Sequence, residues 1–114
     1  MPGFADMQRM MRQVQKMQEE VTRIQEEVGQ RTQEASTGGG AVVVTANGKG
    51  DLTEIRITTE ALEAGDPEML ADLVLTASNE ALRRSREMMA HELGKVTGMP
   101  GGGGLPGLPG LPGM

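Results

Sequence analysis

The sequence predicts an α+β fold: a long N-terminal helix, a small antiparallel β-sheet built as a hairpin, and a long C-terminal helix. Three observations predict it. Met7, Met10, Val14, Met17, Val21, Ile24 and Val28 recur at alternating spacings of three and four, the seam of a helix that packs on another helix. Two β-rich stretches, 41–46 and 52–58, flank the sequence NGKGD, and Asn-Gly is the strongest short-range hairpin signal. A broad apolar stripe then follows Asp66-Pro67, an N-cap and first-turn pair that opens a helix.

The first helix is predicted over residues 6–34. Its other positions are mostly Gln, Glu, Arg and Lys, all good helix formers. At 1.5 Å per residue it would be about 43 Å long, more than so small a domain can cover with its own core. Gly29 is a soft spot near its far end, at a cost of roughly 1 kcal/mol relative to Ala. The run STGGG, 36–40, reads as a flexible joint. In the second strand Ile55 and Ile57 alternate with Glu54 and Arg56, a half-exposed pattern. The first strand is more continuously apolar, which suits cover on both faces or pairing with another chain. A third strand is not visible, and two strands alone are marginal in water. The hairpin is therefore expected to pack on a helix, to continue across a dimer, or both.

The segment TTEALEAGDP reads as a short turn. The last helix is predicted over 67–94, with Leu70, Leu73, Val74, Ala77, Ala81, Met88 and Leu93 as its stripe. Gly94 and Gly98 can each terminate it. Residues 98–114 repeat Leu-Pro-Gly three times. That is too few triplets for a collagen helix, and the tail is expected to be disordered or PPII-like.

Composition narrows the chemistry. The chain of 114 residues has no Cys, one His and one aromatic residue, Phe4. A disulfide framework and a Cys-based metal site are excluded, and an intracellular chain is the default expectation. No apolar run approaches a membrane span, and no signal-peptide core is visible. The expected location is the cytoplasm. The ten Met suit adaptable helix packing.

Net charge is −5, which argues against a nucleic-acid partner, because phosphates are neutralised by Lys and Arg. The sum hides a gradient. Residues 1–17 carry Arg9, Arg12 and Lys16 against Asp6, whereas 18–34 are acidic. Residues 83–95 carry Arg83, Arg84, Arg86 and Lys95 against Glu87 and Glu92.

The glycine loop is not a phosphate cradle. A P-loop or dinucleotide loop must open a helix, and here a strand pattern follows Asp51. Lys49 at the tip is a solvated lysine on this reading. His91 has Glu87 one turn away, but no second His or Cys completes a metal site. Ser and Thr lack a base partner. No catalytic residue, cofactor, metal or small-molecule substrate is expected. The basic residues remain. Arg9, Lys16 and Arg23 share one heptad position, and Arg12 lies close by. They read as a stripe along one flank of the first helix, beside the seam. Arg83, Arg84 and Arg86 form a second cluster. Neither has interleaved aromatics, so contacts to duplex backbone are expected rather than base stacking. A protein–protein adaptor, using the seam without binding DNA, is the alternative.

The order of motifs carries a resemblance. MMRQVQKMQEEV comes first, then VVVTANGKGDLTEIRIT, then DPEMLADLVLTASNEALRRSREMMAHELGKVTG, then the Gly/Leu/Pro-rich tail. This resembles the YbaB/EbfC family of bacterial nucleoid-associated proteins along nearly the whole chain. The resemblance implies a homodimeric α+β fold with sheet-centred bodies and helices projecting like tweezer arms. It implies duplex DNA binding with low sequence preference, and a role in chromosome organisation and expression. It places DNA contacts on the first and last helices, here Arg9, Arg12, Lys16, Arg23, Arg83, Arg84 and Arg86.

Overall fold

The computed structural model describes residues 3–98. The predicted tail, apart from Gly98, lies outside the described residues. The fold is α+β, as the sequence predicts. Its elements are α1 (Phe4–Gly29), β1 (Thr32–Thr37), β2 (Val42–Asn47), β3 (Leu52–Ile57), α2 (Thr59–Glu63) and α3 (Pro67–Thr97). The three strands form one antiparallel sheet in the order β1-β2-β3.

β1 corrects the sequence reading, which runs the first helix to Glu34 and sees only a hairpin. The helix stops at Gly29. Thr32–Thr37 then pairs with β2, Ala35 opposite Val44 and Thr37 opposite Val42. Its inward face is Gln33, Ala35 and Thr37, so it shows no apolar alternation. The two polar members are satisfied by α3. The Thr37 hydroxyl donates to the Leu73 carbonyl at 2.8 Å, and Gln33 Nε2 lies 3.3 Å from Met88 Sδ. Gly38–Gly40, all at positive φ, return the chain to β2. Glycine takes that region without the Cβ clash that other residues meet.

β2 is the central strand, which explains its apolar run. Val42, Val44 and Ala46 are fully buried and meet Ala35, Ala77 and Ala81 in the core. The alanines let α3 lie close over β1 and β2. Ser85 continues the same stripe and is also fully buried, its hydroxyl donating to the Asn47 carbonyl. β3 is left largely uncovered. A register shift near Thr45 and Ala46 puts Leu52 opposite Ala46 and Ile55 opposite Val44, on the α3 side, yet both stay exposed.

The segment after β3, predicted as a turn, is one helical turn, α2. The Thr58 hydroxyl caps it, accepting from the Ala61 N–H at 3.2 Å. α3 opens as predicted, with Asp66 Oδ1 accepting from the Met69 N–H at 3.0 Å. It runs through buried Gly94 to Gly98, whose left-handed φ of 74° ends it.

The hairpin tip locks α1 to the sheet. Asn47 Oδ1 accepts from the N–H groups of Lys49 and Asp51, both at 3.0 Å, an Asx-type turn. The Gly48 N–H donates to the Arg31 carbonyl at 2.9 Å. A Cβ on Gly48 would stand 2.0 Å from the Val28 carbonyl oxygen. The glycine is therefore required by close backbone approach. The Lys49 stem lies over Gly29, which puts a cation at the C-terminal end of α1, where the helix dipole favours it.

From this junction α1 runs beside α3 and then beyond it. Val28 is buried and Val21 and Ile24 are half-buried, whereas Phe4, Met7, Met10, Met11, Val14 and Met17 are exposed. The molecule measures 73 × 29 × 16 Å, with the N-terminal half of α1 as a projecting arm.

Candidate nucleic-acid interface

Helix geometry settles where the basic residues of α1 lie. At 3.6 residues per turn, Arg9, Arg12, Lys16 and Arg23 fall on the side of α1 opposite the Met7–Val14 seam, not beside it. The flank reading fails because the third and sixth positions of the heptad face outward. The placement leaves the seam and the cations on separate faces.

The cations differ in how committed they are. Arg23 is clasped by Glu20 at 2.8 Å and Glu27 at 3.0 Å. The pairing with Glu20, then Glu27, raises the Arg23 pKa above its ordinary value and lowers that of Glu20. Arg9 lies 3.7 Å from Asp6 with its side chain 70% exposed, a loose pair worth little in water. Arg12 and Lys16 are exposed and make no ion pair among the described residues.

The α3 cluster divides in the same way. Its core face is Ala77, Ala81, Ser85 and Met88. Arg83 and Arg86 point away from that face, while Arg84 lies on its flank. Arg83 bonds Glu80 and Glu87 on its own helix. Arg84 bonds Glu80 at 3.1 Å, and its Nη1 donates to the Glu34 carbonyl of β1 at 2.6 Å. The Arg83 guanidinium, more than any other group, holds the Glu80 carboxyl below its usual range. Arg86 is exposed and unpaired among the described residues.

Four cations are thus available, Arg9, Arg12, Lys16 and Arg86, and three are engaged with carboxylates, Arg23, Arg83 and Arg84. Met89 lines one surface hollow together with Thr22 and Gln25, which sets the level of α3 beside α1. Arg12 and Arg86 are then separated by roughly 20 Å along the helices. Lys49 is an exposed cation at the hairpin tip, and it is more than a solvated lysine, because its stem has a structural place over Gly29.

A further ion cluster ties α3 to the connection between α1 and β1. Glu92 accepts from Arg31 and from Lys95, both at 2.8 Å. The Lys95 ammonium and then the Arg31 guanidinium depress its pKa to about 2. Sequence reasoning does not single it out. Arg31 and Glu92 are 61 residues apart, so no local spacing signals the pair.

His91 is exposed, and no group of three metal-ligating side chains occurs among the described residues. No helix there is long and apolar enough to cross a membrane.

The model of the YbaB/EbfC DNA-binding family matches residues 3–100. The chain belongs to that family. It is 53% identical to a nucleoid-associated protein of Moorella thermoacetica over 96 residues, 84% of this chain and 92% of the relative. It is 50% identical to a nucleoid-associated protein of Acetivibrio thermocellus over 106 residues, 92% of each chain. The crystal structure of an uncharacterized protein of Helicobacter pylori superposes with a TM-score of 0.62. That comparison covers 76% of this chain and 88% of the other at 24% identity, and shows the shared fold.

Proposed function

We propose that this chain binds duplex DNA with low sequence specificity as a homodimer in the bacterial nucleoid, organising the chromosome and influencing expression. The observation that carries the reading is the outward stripe of Arg9, Arg12 and Lys16 on a projecting helix, with two of the three unpaired among the described residues. Such cations reach phosphates and displace condensed counterions. No aromatic residue stands among them, so they position the duplex without reading bases. Arg86 adds a cation about 20 Å away, within one turn of a duplex of about 34 Å. Arg23, Arg83 and Arg84 join only by exchanging a carboxylate for a phosphate. The chain's acidity confines binding to these patches and makes it sensitive to salt.

The dimer reading rests on the open side of the sheet. Leu52 and Ile55 are exposed on β3, and Ile57, Leu70, Val74 and Leu75 line an apolar groove beside them. An uncovered edge strand beside apolar surface is suited to a second copy. Two arms on one body then gain through effective concentration.

Duplex binding should be titrated against salt for the wild type and an Arg9/Arg12/Lys16→Ala variant. The variant should bind more weakly, and its log–log salt slope should fall by about 0.9 for each phosphate that is no longer neutralised. Equal affinity with an equal slope would remove the α1 site. Ile55→Glu should lower the native mass from two chains to one, and an unchanged mass would refute the sheet-side dimer. The exposed α1 seam favours a second reading, an adaptor that binds no DNA. Failure of micromolar wild-type protein to shift a random duplex at physiological salt would select it.

A further inference from the structure

We propose that the exposed half of the α1 seam is a self-association surface, which pairs antiparallel with the same stretch of a second copy. Phe4, Met7, Met10, Met11, Val14 and Met17 are between 47% and 77% exposed. They form a continuous apolar face on an arm that no other described residue covers. The positions flanking this face carry almost no charge, being Asp6, Gln13 and Gln18. Two identical faces therefore meet with Gln13 beside Gln13 at the centre and Asp6 near Glu20 of the second copy, a carboxylate that Arg23 already clasps at 2.8 Å. That composition contrasts with the far half of the helix, where Glu20 and Glu27 hold the flanking positions beside a seam already turned toward α3.

The antiparallel arrangement follows from the ends. Parallel arms would set two positive helix N-termini side by side. Antiparallel arms oppose the dipoles and set the bodies apart. A centre near Arg12 layers Met7 on Met17 of the second copy and Met10 on its Val14, alternating the two seam positions as a coiled coil does. Arg9, Arg12 and Lys16 stay on the outer faces, so one assembly presents two basic stripes pointing away from each other. The face is made of six side chains, far fewer than the roughly 20–30 residues that a standard interface engages on each side. The pairing is thus weak alone and is strengthened when copies are concentrated. It lets one assembly hold two duplexes.

The chain has no cysteine, so single cysteines report the geometry without DNA. Gln13→Cys, beside the proposed seam, should form a disulfide-linked pair on mild oxidation, also in an Ile55→Glu background where the sheet face is blocked. Glu19→Cys, on the outer face, should not. In parallel, sedimentation should show wild-type mass rising with concentration. Met10→Gln/Val14→Gln, which leaves the charge unchanged, should need about tenfold more protein for the same rise. It should bind a single duplex as the wild type does, but fail to capture a second duplex onto an immobilised one. Equal cross-linking at both cysteines, none at Gln13→Cys, no rise in wild-type mass, or unchanged assembly of the double variant would each overturn the pairing. Loss of DNA binding by the Arg9/Arg12/Lys16→Ala variant leaves all the DNA-free readouts untouched, so the two proposals fail separately.

Discussion

Gly48→Ala tests the junction between α1 and the sheet. The added Cβ would lie 2.0 Å from the Val28 oxygen, 2.7 Å from its carbonyl carbon and 3.0 Å from Gly29 Cα. All three are backbone atoms and cannot swing aside as a side-chain tip would. Relief requires the tip and the last turn of α1 to separate by more than about 1 Å, as overpacked sites do at a cost of roughly 1–3 kcal/mol. That movement stretches the Gly48 N–H to Arg31 carbonyl bond, worth about 1 kcal/mol. The expected loss is about 2–4 kcal/mol, a fall in Tm of roughly 10–25 °C for a domain of this size. Gly50 is the control. Its φ is +89°, and a Cβ there meets nothing within 4 Å, so Gly50→Ala carries only the left-handed penalty of about 1 kcal/mol. Chemical unfolding of both variants checks the ordering. If Gly48→Ala lies within about 0.5 kcal/mol of wild type, or costs less than Gly50→Ala, the close-approach argument is wrong.

Arg12→Ala should weaken duplex binding more than Arg23→Ala, because Arg23 must first leave Glu20 and Glu27; equal losses in a binding titration would contradict that ranking. Glu80→Gln releases Arg83 and Arg84 from a shared carboxylate and should raise duplex affinity severalfold at low salt, with helix content by circular dichroism unchanged; unaltered affinity would show that Arg83 and Arg84 take no part. Glu92 has a folded pKa near 2 against an ordinary 4.5, so its contribution is present above about pH 4.5 and is lost as pH falls toward 2. The stability difference between wild type and Glu92→Gln, followed by denaturant unfolding, should be constant from pH 7 to about 5 and shrink below that; a difference that persists at pH 2 would mean the ion cluster is not its source.

Periodicity makes the helices legible. The seam of α1 and the stripe of α3 follow from residue spacing, and the Asp66-Pro67 start follows from cap chemistry. β1 is hidden because only Ala35 of its inward residues is apolar. Gln33 and Thr37 face inward because α3 supplies their bonding partners, and a linear pattern carries no trace of a partner dozens of residues away. Ser85 is hidden for the same reason. The basic clusters are visible as charge, whereas their availability is only partly readable. Glu20 and Glu27 stand three and four residues from Arg23, and Glu80 and Glu87 stand likewise about Arg83, the spacings at which helical side chains meet. Arg84 is different, since its bond to the Glu34 carbonyl exists only once β1 has been laid beside α3.

The glycine turn that fastens the sheet to α1 also acts as the pivot of a lever. About 24 residues separate Val28 from Phe4, roughly 36 Å of rigid helix. A change of only about 10° at that pivot would sweep the arm tip sideways by about 6 Å. The reach of Arg9, Arg12 and Lys16 is therefore governed by a backbone contact that carries no charge. Selection acting on Gly48, Val28 or the Lys49 stem could retune where the arm tip lies without altering a single basic residue.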